Sequence, residues 1–150
     1  MRFELLTNKN IALYIEYLKQ ALLEDSEQMW IDSIEEDEII KRINDNFYQN
    51  TKSYLAIINN KLIGRIEYYF YGCIQDGFKM TYVDWVYVLK EYRNKGIAKS
   101  LFSVFEQDCK SNGINQYFLI MATSESAKHF YNSFKEVELE ESPTLRKNLD

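Results

Sequence analysis

Met80-Thr-Tyr-Val-Asp-Trp-Val-Tyr-Val88 is followed by Leu89-Lys-Glu-Tyr92 and then by Arg93-Asn-Lys-Gly-Ile-Ala98. The first block is apolar and rich in valine and aromatic residues, and it reads as a strand. The charged tetrapeptide reads as a turn. Arg93–Ala98 opens a helix that carries Ile97, Ala98, Leu101, Phe102, Phe105 and Cys109 on one side and stops at Asn112-Gly113. A strand feeding a glycine-containing loop and a helix start is a place to bind phosphate. The first N–H groups of a helix lack partners inside it, and its dipole favours negative charge there. Gly96 lets an anion approach the backbone, and Arg93, Lys95 and Lys99 place positive charge around it.

On the N-terminal side, Arg2–Leu6 reads as a short strand. Asn8 or Asn10 is placed to cap a helix whose stripe is Ile11, Tyr14, Ile15, Leu18 and Leu22. Ser33-Ile-Glu-Glu36 fits a capping box that opens a second helix through Ile39, Ile40, Ile43 and Phe47. Between these helices lie Trp30, Met29 and an acidic segment from Glu24 to Glu38. Tyr54–Ile58, Asn59-Asn60 and Lys61–Tyr71 read as a β-hairpin, because paired asparagines tolerate the left-handed turn. A longer turn through Asp76-Gly77 leads to Met80, which makes an antiparallel meander.

On the C-terminal side, the apolar run Gln116–Met121 reads as a buried strand. The helical crossover before it predicts that it lies parallel to Met80–Val88. A helix from about Ser124 to Phe134 is expected next, then closing strands at Glu136–Glu140 and Thr144–Leu149 around Pro143. The fold class is α+β: a mixed, mostly antiparallel sheet with one parallel pair, near 80–88 and 116–121, flanked by about four helices. Residues 1–150 read as a single domain.

Composition narrows the function. A net charge of −5 and a pI near 5.0 disfavour nucleic-acid binding through a broad basic surface and suit a cationic small substrate. Cys73 and Cys109 read as two buried free thiols, and no Cys/His spacing suggests a metal site. No leader segment and no apolar run of membrane-spanning length is visible, so no membrane partner and a cytoplasmic, reduced location are expected.

Val86-Tyr-Val88 followed by Arg93-Asn-Lys-Gly-Ile-Ala98, together with Ala127-Lys-His-Phe-Tyr131 after Tyr117–Met121, resembles the GNAT superfamily of acetyl-CoA-dependent N-acetyltransferases. The order of elements is similar over nearly the whole chain. The resemblance implies a sheet split between the 80–88 and 116–121 strands, with acetyl-CoA entering the split as co-substrate. Val86 and Val88 would pair with its pantetheine arm, and the N–H groups of Asn94, Lys95, Gly96, Ile97 and Ala98 would hold its pyrophosphate, with Arg93 and Lys99 nearby. Ser124 stands where the family commonly has a cofactor-bonding asparagine. The family's helix-ending glycine is absent, which leaves Lys135 to adopt that conformation or the turn to shorten.

Acetyl transfer needs a neutral amine and a protonated leaving thiolate. Asp84 ranks first as the base, because a carboxylate in an apolar central strand is costly unless it has a purpose. Its setting, Tyr82-Val-Asp-Trp-Val-Tyr-Val88, also resembles members that act on polyamines and drugs. Glu67 is the second candidate. By its match to the family's helix tyrosine, Tyr131 is the acid for the thiolate, and Val88 N–H polarises the carbonyl. Trp30 and Asp84 are the expected substrate contacts. The leading expectation is transfer to a primary amine of a small, cationic molecule by direct attack in a ternary complex. Its alternatives are a protein (Lys or N-terminal) acetyltransferase and an acyl-CoA-binding sensor module without turnover. Family members commonly form homodimers, and the tyrosine-rich 68–71 strand is the candidate edge.

Overall fold

The computed structural model describes residues 1–149. Five strands form one sheet in the order β1 (Arg2–Leu5), β2 (Thr51–Ile58), β3 (Lys61–Gly72), β4 (Lys79–Val88) and β5 (Gln116–Leu119). The first four are antiparallel in sequence, and β4 pairs with β5 in parallel. The helices are α1 (Ile11–Glu24), the one-turn α2 (Ser26–Met29), α3 (Glu36–Ile43), α4 (Ile97–Ser111) and α5 (Glu125–Tyr131). The chain divides into two compact units, one ending at Leu119 and the other beginning at Ile120.

The β2–β3 hairpin turns on Asn59 and Asn60, at φ 48° and 60°. Two left-handed residues give a tight turn whose twist matches that of the strands. In the first unit, α1 packs one face of the sheet and α4 the other. Tyr17, Leu18 and Ala21 of α1 meet Leu55, Ile57, Leu62 and Tyr87. On the α4 side, Tyr68 packs edge-on against Phe105 at 4.7 Å. Beside it, Asp108 accepts the Tyr68 hydroxyl at 2.6 Å and pairs with Lys52 at 2.9 Å.

Several expectations are corrected. Neither Asn8 nor Asn10 caps α1 through its side chain. The Asn10 side chain instead accepts from Thr7 N and donates to Leu5 O, tying the β1 exit. The capping box does not form, since Ser33 Oγ donates to Glu35 and α3 starts at Glu36 without a side-chain cap. That helix ends at Ile43, and Phe47, 85% exposed, falls in a 3₁₀ turn capped by Asp45. Only Cys109 is buried; Cys73 lies exposed in the β3–β4 turn. The strand containing Tyr68–Tyr71 runs between β2 and β4, so it is no sheet edge. The 116–121 strand stops at Leu119. No closing strand forms at 136–140 or 144–149. Val137, Leu139, Leu145 and Leu149 are all exposed, so the apolar positions of these segments are not buried against a sheet.

Candidate active site

The β4–β5 ladder runs only from Met80–Gln116 to Val83–Leu119. Beyond Val83, β4 continues to Val88 against β3 alone. Leu89 N donates to Ile63 O at 2.9 Å. In an antiparallel ladder the alternation then turns the N–H groups of Val86 and Val88 away from β3, toward the open side. Val88 O accepts from Arg93 Nε at 2.9 Å, in agreement with that orientation. This is the split expected from the sequence: a strand edge with unused donors beside an apolar floor.

The following loop supplies an anion cradle. Asn94 and Gly96 are left-handed, at φ 59° and 76°, and Gly96 is the N-cap of α4. The Gly96 carbonyl accepts Ser100 N, whereas no side chain caps the N–H groups before it. A Cβ built on Gly96 would meet nothing within 4 Å, so the space in front of these donors is open. A run of free N–H groups in such a turn holds oxygen anions.

The cations around the cradle divide. Arg93 is drawn inward: its guanidinium lies 4.9 Å from the Tyr87 ring centroid and reaches Asp25 at 3.5 Å. It therefore serves as a strut joining β4 to the α1–α2 junction. Lys95 donates to Glu91 O at 2.9 Å and leans over Tyr92, while Lys99 is exposed. The acidic segment is also partly committed. Glu24 accepts the Tyr87 hydroxyl and Lys90 N, Glu36 pairs with Lys19, and Glu38 pairs with Lys41. Trp30 is left-handed at φ 58° and 82% exposed, next to the buried Met29.

Asp84 sits in a β-bulge. Glu67 pairs with Trp85, but the next residue, Tyr68, pairs with Val83, so Asp84 has no partner opposite it. The extra residue switches the side-chain alternation of β4. Thr81 and Val83 face α4, as do Val86 and Val88, while Tyr82, Asp84, Trp85 and Tyr87 face the α1 side. Asp84 and the Val86–Val88 pair thus face opposite sides of one strand. No hydrogen bond to the Asp84 carboxylate forms among the described residues. Burial by the surrounding chain pushes its pKa up, Glu67 pushes it further, and Arg65 opposes both. A raised carboxylate is a stronger base.

Glu67 is built in differently. Its Oε2 accepts from Ser53 Oγ at 2.7 Å and from Arg65 Nη1 at 2.7 Å. Arg65 is itself buried, 5.3 Å from the Tyr14 ring and 5.8 Å from Trp85. Burial works against its charge, but Tyr14 and Glu67 hold the guanidinium ionised. The same burial pushes the Tyr14 phenol up to about 12. Sequence reasoning did not single out Arg65, although this residue stands two positions before Glu67 on β3 and so shares its face. It also missed Gly64, where a Cβ would lie 3.0 Å from Val88 Cγ2 and press on the donor floor.

In the second unit, Ser124 caps α5, its Oγ accepting from Ala127 N at 3.3 Å. Tyr131 packs with Phe130 and Phe134. Burial pushes its phenol up, so it remains a proton donor at neutral pH. α5 ends early, in a right-handed cap at Asn132, and the left-handed residue beyond it is Glu136, at φ 59°, not Lys135. His129 is exposed. Among the described residues, no group of His, Cys, Asp or Glu could hold a metal ion, and no helix is long and apolar enough to cross a membrane.

Comparison with known proteins agrees with this geometry. The model of the acetyltransferase (GNAT) family matches residues 15–135, and the chain belongs to that family. A search of curated proteins gave no significant match. Among solved structures, an aminoglycoside acetyltransferase from an uncultured soil metagenomic sample, in complex with sisomicin, superimposes with a TM-score of 0.82 at 21% identity, covering 99% of this chain and 96% of that one. A ribosomal-protein-alanine N-acetyltransferase from Brucella melitensis biovar Abortus 2308 gives 0.71 at 18%, covering 97% and 98%. A predicted acetyltransferase with acetyl-CoA from Clostridium acetobutylicum gives 0.70 at 17%, covering 97% and 95%.

Proposed function

We propose that this single-domain protein is an acetyl-CoA-dependent N-acetyltransferase that modifies a primary amine of a small, cationic molecule by direct attack in a ternary complex. The observation that carries the reading is the β4 bulge. It sets Asp84 on one face of the strand and Val86 and Val88 on the other, beside an unpaired strand edge.

The residues fit the co-substrate. Val86 and Val88 offer N–H groups for a pantetheine arm, and Asn94 through Ala98 offer the phosphate cradle with Lys95 and Lys99 beside it. When bound, acetyl-CoA supplies a thioester whose C–S bond breaks as the C–N bond to the amine forms. An alkyl ammonium is less than about 0.1% free base at neutral pH, so deprotonation is the first requirement. Asp84, with its raised pKa, takes the ammonium proton. Tyr131, matched to the family's second region, gives a proton to the departing sulfur, and the proton lost from the nitrogen restores the balance. Glu67, held by Arg65 and Ser53, adds to the rise of the Asp84 pKa and so strengthens that base; it is not the primary base itself.

The test is thiol release from acetyl-CoA with a panel of primary amines. Amine-dependent release that Asp84→Asn lowers by about 10²- to 10⁴-fold supports the reading. Absence of release with every amine, protein amines included, contradicts it.

A further inference from the structure

The α1-side face of the sheet carries a row of rings that the donor site does not use. Tyr69 of β3, Tyr82 of β4 and Phe118 of β5 lie opposite one another in register. Their rings are 5.3 Å and 4.9 Å apart, and Tyr71 adds a fourth at 6.3 Å from Phe118. Such spacings are those of interacting aromatic pairs. Yet Tyr69, Tyr71 and Phe118 are 38%, 43% and 44% exposed, so these three rings are open to solvent. Rings on a central strand row are ordinarily covered. These stand next to Asp84, which follows Tyr82 on the same face, and the Asp84 charge reaches the Tyr69 phenol.

Resting on the acetyl-transfer reading above, we infer that this ladder binds the body of the acceptor, and that the acceptor is a monoamine carrying an aromatic or similarly flat apolar group. Charge decides between that class and a polycation. Of the two carboxylates on β3, β4 and β5, Glu67 is neutralised by Arg65, and Asp84 has no ion-pair partner among the described residues. In the acidic segment Glu24, Asp25, Glu36 and Glu38 have cationic or N–H partners. Glu27, Asp32, Glu35 and Asp37, without an ion pair among the described residues, lie in α2, in α3 or between them and not on the strands of the row. On those strands one open carboxylate matches one ammonium. The remaining recognition comes from ring faces, which stack on a flat apolar body and attract a cation beside it. A linear polyamine or a multiply charged aminosugar would leave its further ammonium groups over phenyl and phenol faces without counter-charge.

The test compares 2-phenylethylamine, butylamine and spermidine as acceptors at saturating acetyl-CoA. The ladder predicts kcat/KM for 2-phenylethylamine at least about tenfold above both others. Tyr69→Leu and Phe118→Ala should each lower the aryl-to-alkyl ratio by about fivefold to tenfold through KM for the amine, with the KM for acetyl-CoA unmoved. Tyr69→Phe, which keeps the ring, should retain the ratio and so controls for folding. A preference for spermidine, or variants that leave the ratio unchanged, overturns the inference while leaving acetyl transfer intact. A change from dimer to monomer in both variants, with the ratio unchanged, assigns the row to a second copy of the chain and overturns it equally. Absence of thiol release with all three amines, accompanied by no stabilisation by acetyl-CoA, is the failure of the underlying reading.

Discussion

In the proposed reaction Asp84 is the residue on which the chemistry turns, and its cost to the fold is measurable. Its pKa is raised in the folded chain, chiefly by burial, from an ordinary value of 3.8. The folded state therefore holds this proton more tightly than the unfolded chain does, and ionising Asp84 at neutral pH weakens the fold. Relative to the native chain, Asp84→Asn should raise the Tm at pH 7, with the gain shrinking as pH falls through the raised pKa and vanishing below the ordinary aspartate range. Thermal melts from pH 3 to 8 check this. The activity profile runs the other way: kcat/KM of the native enzyme should fall on acidification through the Asp84 pKa, and the variant should lack that inflection. Glu67→Gln should cost activity less than Asp84→Asn, but should destabilise by about 1–3 kcal/mol, because it strips the buried Arg65 of its charged partner. A carboxylate inside an apolar strand is visible in sequence, and so Asp84 was legible. The bulge that aims it was not. It depends on the register between β3 and β4, which no local pattern records. The structural commitment of Arg93 to Asp25 was hidden for the same reason, since the partners lie far apart in the chain.

At the scale of elements, α4 and its loop do two jobs, closing the core with one face and offering N–H groups from one end. Phe105 is fully buried between Tyr68 and Tyr117, with ring centroids 4.7 Å and 5.0 Å away. Phe105→Ala should cost about 3–5 kcal/mol in denaturant unfolding. The Lys52–Asp108–Tyr68 group beneath it is a polar anchor, and Asp108→Ala should cost about 1–3 kcal/mol by the same measurement. The periodicity of α1 and α4, the paired asparagines of the hairpin and the Asn112-Gly113 stop were readable because each is a local rule with little competition. Where two local rules competed, the sequence misled. Ser33 had a glutamate two residues on as well as one three residues on, and its hydroxyl bonds the nearer one. At the expected closing strands Val137 and Leu139 alternate with glutamates as a half-buried strand would, yet both stay exposed, so the local pattern alone did not build a strand.

For the whole molecule, the family match spans residues 15–135 and so crosses from the first compact unit into the second. The proposed donor site was legible because it uses backbone groups at a motif with fixed spacing. The proposed acceptor side was legible only in outline, because the ring ladder is assembled from three strands and the acidic segment spends much of its charge internally. The most direct measurement is the thermal shift caused by acetyl-CoA in the native chain and in Gly96→Asp, whose new side chain would be strained at φ 76° and would place a carboxylate at the phosphate cradle. A ligand at 100 times its Kd stabilises by about 2.7 kcal/mol, so the native Tm should rise by roughly 5–10 °C. The Gly96→Asp chain, folded but starting from a lower Tm, should show a shift of less than about 2 °C at the same concentration. Equal shifts in the two proteins, or none in the native chain, would contradict the assignment of Met80–Cys109 as the acetyl-CoA site.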